Sequence, residues 1–147
     1  MIAIASDHAG LPLKRHLVAY LEKLGHQILD LGVDEDRSVD YPDFAHDLAG
    51  RVAAGEAGRG ILICGTGLGM SMAANRHPGV RAALCHDAYT AEMARRHNDA
   101  NVLCMGARVL GPGVAEQVTT VFLTTAFDGG RHRRRVNKIE PDSGEES

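Results

Sequence analysis

The chain has 147 residues, a length that suits one domain with a core of its own. Apolar residues make up 44% and charged residues 24%, ordinary values for a globular protein, and the net charge of -3 gives no reason to expect a polyanionic partner. No apolar run approaches the roughly 20 residues of a membrane span, and the opening MIAIASDHAG lacks the basic flank and long apolar segment of a secretory signal.

Short β-rich runs alternate with helical patterns along the chain. The predicted strands are Ile2–Ala5, Gln27–Leu31, Gly60–Cys64, Val80–Cys85 and Asn101–Met105. Most are continuous apolar runs, as expected of strands covered on both faces. Between the first two, Leu13, Leu17, Leu21 and Leu24 recur at helical spacing, with Pro12 suited to a first turn and Gly25 to a C-terminal cap. A second helix runs from Pro42 through Ala54, and a third follows the glycine loop Gly65–Gly69 through Ala74. Tyr89–His97 makes a fourth. Val114, Val118, Val121, Phe122 and Thr125 mark a fifth behind Pro112. Strand–helix alternation five times over predicts an α/β fold, a doubly wound three-layer sandwich on a five-stranded parallel sheet, Rossmann-like in layout. Residues 1–140 read as a single domain, and 141–147 as an acidic tail expected to fray.

In such sheets ligands gather beyond the C-terminal strand ends. Those ends carry Asp7 and His8, Cys64 with Gly65 and Thr66, His86 and Asp87, and Arg108. The loop Gly65-Thr66-Gly67-Leu68-Gly69 can aim successive N–H groups at an anion. A dinucleotide fingerprint would need glycine where Met70 stands, although Asp87 occupies a position suited to a ribose-binding acid. A purely structural tight turn is the bland alternative. Three well-separated cysteines without a C-x-x-C pair argue for a reducing compartment, the cytoplasm, rather than disulfides or a zinc knuckle. A free thiol is mostly protonated at neutral pH, and a helix N-terminus or a cation raises its thiolate share. Cys64, just ahead of the loop, is therefore a candidate nucleophile or base, whereas Cys85 and Cys104 read as small buried apolar groups.

Asp7-His8 and His86-Asp87 are the pairs with metal-ligand chemistry, but no H-x-x-x-H or H-E-x-x-H spacing supports a metal. The run GGRHRRRVNK is basic. If helical, it places Arg131 and Arg135 on one face, a fork suited to a small phosphate, with a solvated basic face as the bland reading. Only 4% aromatic residues and a negative net charge weaken a nucleic-acid role.

From SDHAG through VDYPDFA, ILICGTGLGMSMAAN, ARRHNDANVL and GARVLG to GGRHRRRV, the chain resembles the type B branch of the ribose/galactose/allose phosphate isomerase family. The resemblance covers nearly the whole chain up to Ile139. It implies an aldose–ketose isomerase that interconverts ribose 5-phosphate and ribulose 5-phosphate without a metal or organic cofactor. Cys64 matches the base that moves the proton between C2 and C1, and the backbone of Gly65, Thr66, Gly67, Leu68 and Gly69 matches the enediolate-stabilising loop. Thr66 matches a residue that positions or shuttles protons at the sugar oxygens. His97 matches the acid that opens the furanose ring, with Asn98 beside it. Asp7 and Tyr41 match sugar contacts, and His8, Arg108, Arg131 and Arg135 match the phosphate set. The related branch replaces the cysteine by serine and takes a later glutamate as base; Met72–Asn75 has no acid, which places this chain in the cysteine branch. Allose or galactose 6-phosphate is the alternative substrate, and a non-catalytic nucleotide-binding domain the alternative class. The expected partner is a second copy of the chain. Cys64 ends its strand while the helix ending at His97 runs back to the other sheet edge, so the two should meet only across a homodimer. A dimer of dimers is left open. No nucleic-acid or membrane partner is expected.

Overall fold

The computed structural model describes residues 1–141. Three strands run through the middle of the sheet: β1 (Ile2–Ser6), β3 (Arg59–Cys64) and β5 (Val102–Gly106). Short strands β2 (Ile28–Asp30) and β4 (Ala82–Leu84) form its edges. The order is β2-β1-β3-β5-β4 and every pairing is parallel. The doubly wound expectation therefore holds. Both edge strands are shorter than their apolar runs suggested. An edge strand has a ladder on one side only, so its ends are held less firmly. Before β4 the side chain of Asn101 substitutes for the ladder, its Oδ1 accepting from the Arg81 amide at 2.8 Å.

Helices α1 (Leu11–Lys23), α4 (Ala88–Arg96) and α5 (Pro112–Thr124) cover one face of the sheet. Helices α2 (Tyr41–Ala53) and α3 (Leu68–Ala74) cover the other. Side-chain alternation divides β3 accordingly: Ile61 and Ile63 join Leu17, Leu21, Val118 and Phe122, while Leu62 and Cys64 join Leu48, Ala49 and Met70. Full burial of side chains such as Phe122 or Leu17 contributes about 1.5–3 kcal/mol each. Two apolar members of the helical series do not join this core. Leu24, the C-cap of α1, is exposed, and so is Val114 in the first turn of α5. Both stand at helix termini, where a correct spacing no longer points at the sheet. The basic run forms a short sixth helix, α6 (Arg131–Asn137), with Arg131 and Arg135 exposed and His132 and Val136 turned inward.

Candidate active site

The C-terminal edge of the sheet gathers one group of the expected residues. Cys64 ends β3 and is 5% exposed, and the amide of Gly67 donates to its Sγ at 3.2 Å. This contact sets the sulfur directly against the backbone amides of the glycine loop. Gly67 meets this geometry with φ +79°, which glycine adopts without strain. A Cβ on Gly67 would also run into Leu84 and the Met105 backbone, at 2.6 and 2.9 Å. Thr66 Oγ1 accepts from the Leu68 amide at 3.2 Å, so the threonine braces the loop from its exposed side.

The neighbouring strand ends add polar groups. Buried Asp7 accepts the Gly10 amide at 3.1 Å and so closes the turn after β1. His8 Nδ1 accepts the Val39 amide at 3.2 Å, which fixes the imidazole proton on Nε2 when the ring is neutral. Tyr41 opens α2 with its ring against Gly69, where an added Cβ would stand 2.8 Å from Tyr41 Oη. Arg108 follows β5; its amide donates to the Gly65 carbonyl at 3.0 Å, and its guanidinium passes so close that a Cβ on Gly65 would lie 3.1 Å from Nη1. Asp7, His8, Tyr41, Cys64, the loop Gly65–Gly69 and Arg108 therefore all belong to this edge.

His97 and Asn98 belong to the opposite edge. His97 is the C-cap of α4, and the chain re-enters the sheet at Val102 a few residues later. Arg131 and Arg135 are there too, because α6 docks on the end of α4. The Asp128 amide donates to the Arg96 carbonyl at 3.0 Å, and Arg96 Nε donates to both Asp128 oxygens at 3.2 Å. His132 stacks on His97, with ring centroids 4.3 Å apart and planes 10° from parallel. His132 is not among the residues the sequence singles out. Its spacing of four from Val136, which gives α6 one buried stripe, was the signal that could have found it.

His97, Asp128 and His132 bring possible ligand atoms within 4.8 Å of one another. The arrangement is poor for a cation. In-plane lone pairs of parallel stacked rings do not converge, Asp128 is already engaged by Arg96, and the field of Arg131 and Arg135 is felt at His132. Burial, with His97, Arg131 and Arg135 alongside, holds His132 below the usual imidazole range.

Three other groups resolve simply. Asp87 accepts both the amide and the hydroxyl of Thr90 at 2.7 Å, which holds its carboxyl below the usual range. It is the N-cap of α4 rather than a free ribose-binding acid. Cys85 is pushed up to about 11 by burial, and Cys104 is pushed up further for the same reason, so both remain thiols. Among the described residues no helix is long and apolar enough to cross a membrane.

The family described as Ribose/Galactose Isomerase matches residues 2–139. The chain is 44% identical over 138 residues to the ribose-5-phosphate isomerase B of Escherichia coli, covering 94% of this chain and 93% of that protein. It is 42% identical over 139 residues to the D-erythrulose-4-phosphate isomerase of Pectobacterium atrosepticum, covering 94% and 91%. Among solved structures, ribose-5-phosphate isomerase B of Clostridium thermocellum superposes with a TM-score of 0.94 at 50% identity, over 95% of each chain.

Proposed function

This chain belongs to the ribose/galactose isomerase family, and we propose that it interconverts ribose 5-phosphate and ribulose 5-phosphate in a site shared between two copies. Cys64 removes the proton from C2 of the open-chain aldose and returns it at C1, so the oxidation of C2 and the reduction of C1 balance within one molecule. No external electron acceptor enters, and the reaction as read requires no cofactor. The enediolate between the two steps carries its charge on oxygen, and the amides of Gly65 to Gly69 stabilise it. Thr66 positions the sugar oxygens, and Asp7 and Tyr41 contact the sugar. His97, with Asn98, opens the furanose ring. His8, Arg108, Arg131 and Arg135 hold the phosphate. The observation that carries this reading is the Gly67 amide on the Cys64 sulfur at the mouth of the glycine loop.

One chain holds two half-sites at opposite sheet edges, and a two-fold axis that sets the edge of one copy against the opposite edge of the other completes both. Arg131 and Arg135 travel with His97, since α6 docks on α4. The phosphate is then clamped by His8 and Arg108 from one copy and by two arginines from its partner. Three free thiols fit a reducing compartment such as the cytoplasm. The Pectobacterium relative's name motivates a second substrate, D-erythrulose 4-phosphate, one carbon shorter with the same reacting C1–C2 pair.

The test is a coupled assay of ribose 5-phosphate conversion with and without a chelator. Conversion unaffected by the chelator, lost in Cys64→Ala and nearly lost in Cys64→Ser, is expected, because a hydroxyl with no acid beside it is a far weaker base. Substantial turnover by Cys64→Ala would overturn the assignment.

A further inference from the structure

Arg95 lies in the last turn of α4, yet only 4% of its side chain is exposed. Its guanidinium is thoroughly engaged. Nη1 donates to Asp99 Oδ1 at 3.0 Å and to the Ala100 carbonyl at 2.5 Å, while Nε donates to the Thr125 carbonyl at 3.0 Å. Its Cζ stands 5.9 Å from the centre of the Phe122 ring. Thr125 is the C-cap of α5, so a single side chain ties together the ends of α4 and α5 and the turn that leads into β5.

Asp99 is unusual in its own right. It is the one non-glycine residue among those described with positive φ, at +47°, and the chain reverses there from helix to strand. Two arginines hold it. Arg95 takes its carboxylate, while Arg81 Nε donates to its carbonyl at 2.9 Å and Arg81 Nη2 reaches its other carboxylate oxygen at 3.5 Å. A glycine would turn the chain here without a largely buried ion pair. Such pairs are weak devices for stability, because desolvation offsets most of the attraction, but they admit few alternative geometries. The residues between the two anchors include His97 and Asn98.

We infer that Arg95 and Asp99 are positioning residues for His97 and Asn98, fixing the turn that presents them to the sugar ring of the substrate bound at the partner's Cys64 edge. The inference rests on reading His97 as the ring-opening acid. It assigns the pair to ring opening and not to the proton transfer between C1 and C2. The two steps separate experimentally. Ribulose 5-phosphate has its C5 oxygen esterified and cannot close a furanose ring onto C2. Exchange of its C1 proton with solvent deuterium therefore needs the base and the enediolate loop, but no ring opening.

The experiment compares Arg95→Met and Asp99→Gly with the parent enzyme. Net conversion of ribose 5-phosphate is measured in one assay, and deuterium incorporation at C1 of ribulose 5-phosphate in the other. Methionine keeps the contact with Phe122 without the donors, and glycine meets the positive φ without the carboxylate. Net conversion should fall by about a hundredfold, the scale of a misplaced catalytic group, while C1 exchange stays within about twofold of the parent. If Arg95→Met does not fold, Asp99→Gly decides alone. Net conversion retained in a folded variant, or exchange falling in step with it, would overturn the inference. His97→Ala separates this from the underlying reading. If it shows the same split and the other two variants do not, the positioning role fails alone. If it leaves net conversion intact, the role of His97 is itself wrong.

Discussion

His132 lies flat against His97, centroid to centroid at 4.3 Å, on a helix that also carries Arg131 and Arg135. Burial is the main penalty on a charged His132, and His97, Arg131 and Arg135 beside it add to that penalty. Its folded value is depressed below the unfolded value of about 6.5. The unfolded chain therefore binds the proton first as pH falls, and the fold loses stability through the window from about 6.5 down to the folded value. His132→Phe keeps a ring on His97 and removes the titration. Its melting temperature should change less between pH 7 and pH 5 than that of the parent, about 2 pH units in all. Identical slopes in the two proteins would show that His132 does not titrate in this window.

A second expectation concerns Gly106, which ends β5 directly beside Cys64 in the sheet register. A Cβ there would stand 2.7 Å from the carbonyl carbon and oxygen of Thr66, both backbone atoms. Relief requires the glycine loop to move, and with it the Gly67 amide that meets the thiol. Gly106→Ala should cost roughly 1–3 kcal/mol of stability and lower kcat about tenfold or more. Gly50, in α2, has nothing within 4 Å of its added Cβ. Gly50→Ala should keep full activity and melt slightly higher, since alanine is the better helix former. Calorimetry with a steady-state assay checks both, and an active Gly106→Ala would show that the loop tolerates displacement.

The alternation of apolar runs and helical stripes made the sheet legible, because β1, β3 and β5 are almost wholly buried, with polar residues only at Ser6, which ends β1, and Arg59, which opens β3. The edge strands were overextended because composition does not say where a one-sided ladder ends. The strand-end residues in the Cys64 half of the candidate site were legible for a related reason, since in a parallel sheet strand ends converge whatever the rest of the chain does, whereas Tyr41, which opens α2, came only from the family resemblance. The docking of α6 on α4 was not. It depends on Arg96 meeting Asp128 across 32 positions of chain and on His132 meeting His97 across 35, and neither Arg96, Asp128 nor His132 stands out locally. Lys14 is a similar case. It is 1% exposed, paired at 2.5 Å with Asp30 Oδ1, which also accepts the Gly32 amide at 2.9 Å. A lysine on an amphipathic helix gives no sign from sequence that it will be buried.

The proposed phosphate clamp predicts a division of labour between kcat and KM. Arg131 and Arg135 are exposed and reach no reacting carbon in this reading, so Arg131→Ala and Arg135→Ala should act mainly by raising KM. Some loss of kcat follows if phosphate binding energy is used to align the sugar. Ribose without its phosphate should be a poor substrate for the parent enzyme as well. Titration calorimetry with ribose 5-phosphate checks this directly. Variants that bind it normally would return the basic run to a solvated surface.

The most discriminating expectation follows from the distance between the half-sites. Cys64 pairs with Gly106 at one end of β5, and His97 caps the helix that leads back to the other end at Val102. The length of β5 alone is about 13 Å at roughly 3.3 Å per residue, too far for both groups to serve one sugar. If a second copy supplies His97, a chain lacking Cys64 and a chain lacking His97 repair each other. Cys64→Ala and His97→Ala proteins, each nearly inactive alone, are mixed after reversible dissociation and allowed to reassociate. Each mixed dimer carries one site with both defects and one with neither. Random reassortment makes half of the dimers mixed, so roughly a quarter of parent activity should return. Native mass spectrometry confirms that mixed dimers have formed. If they form and no activity returns, Cys64 and His97 act within one chain, and the placement of the half-sites in separate copies is wrong.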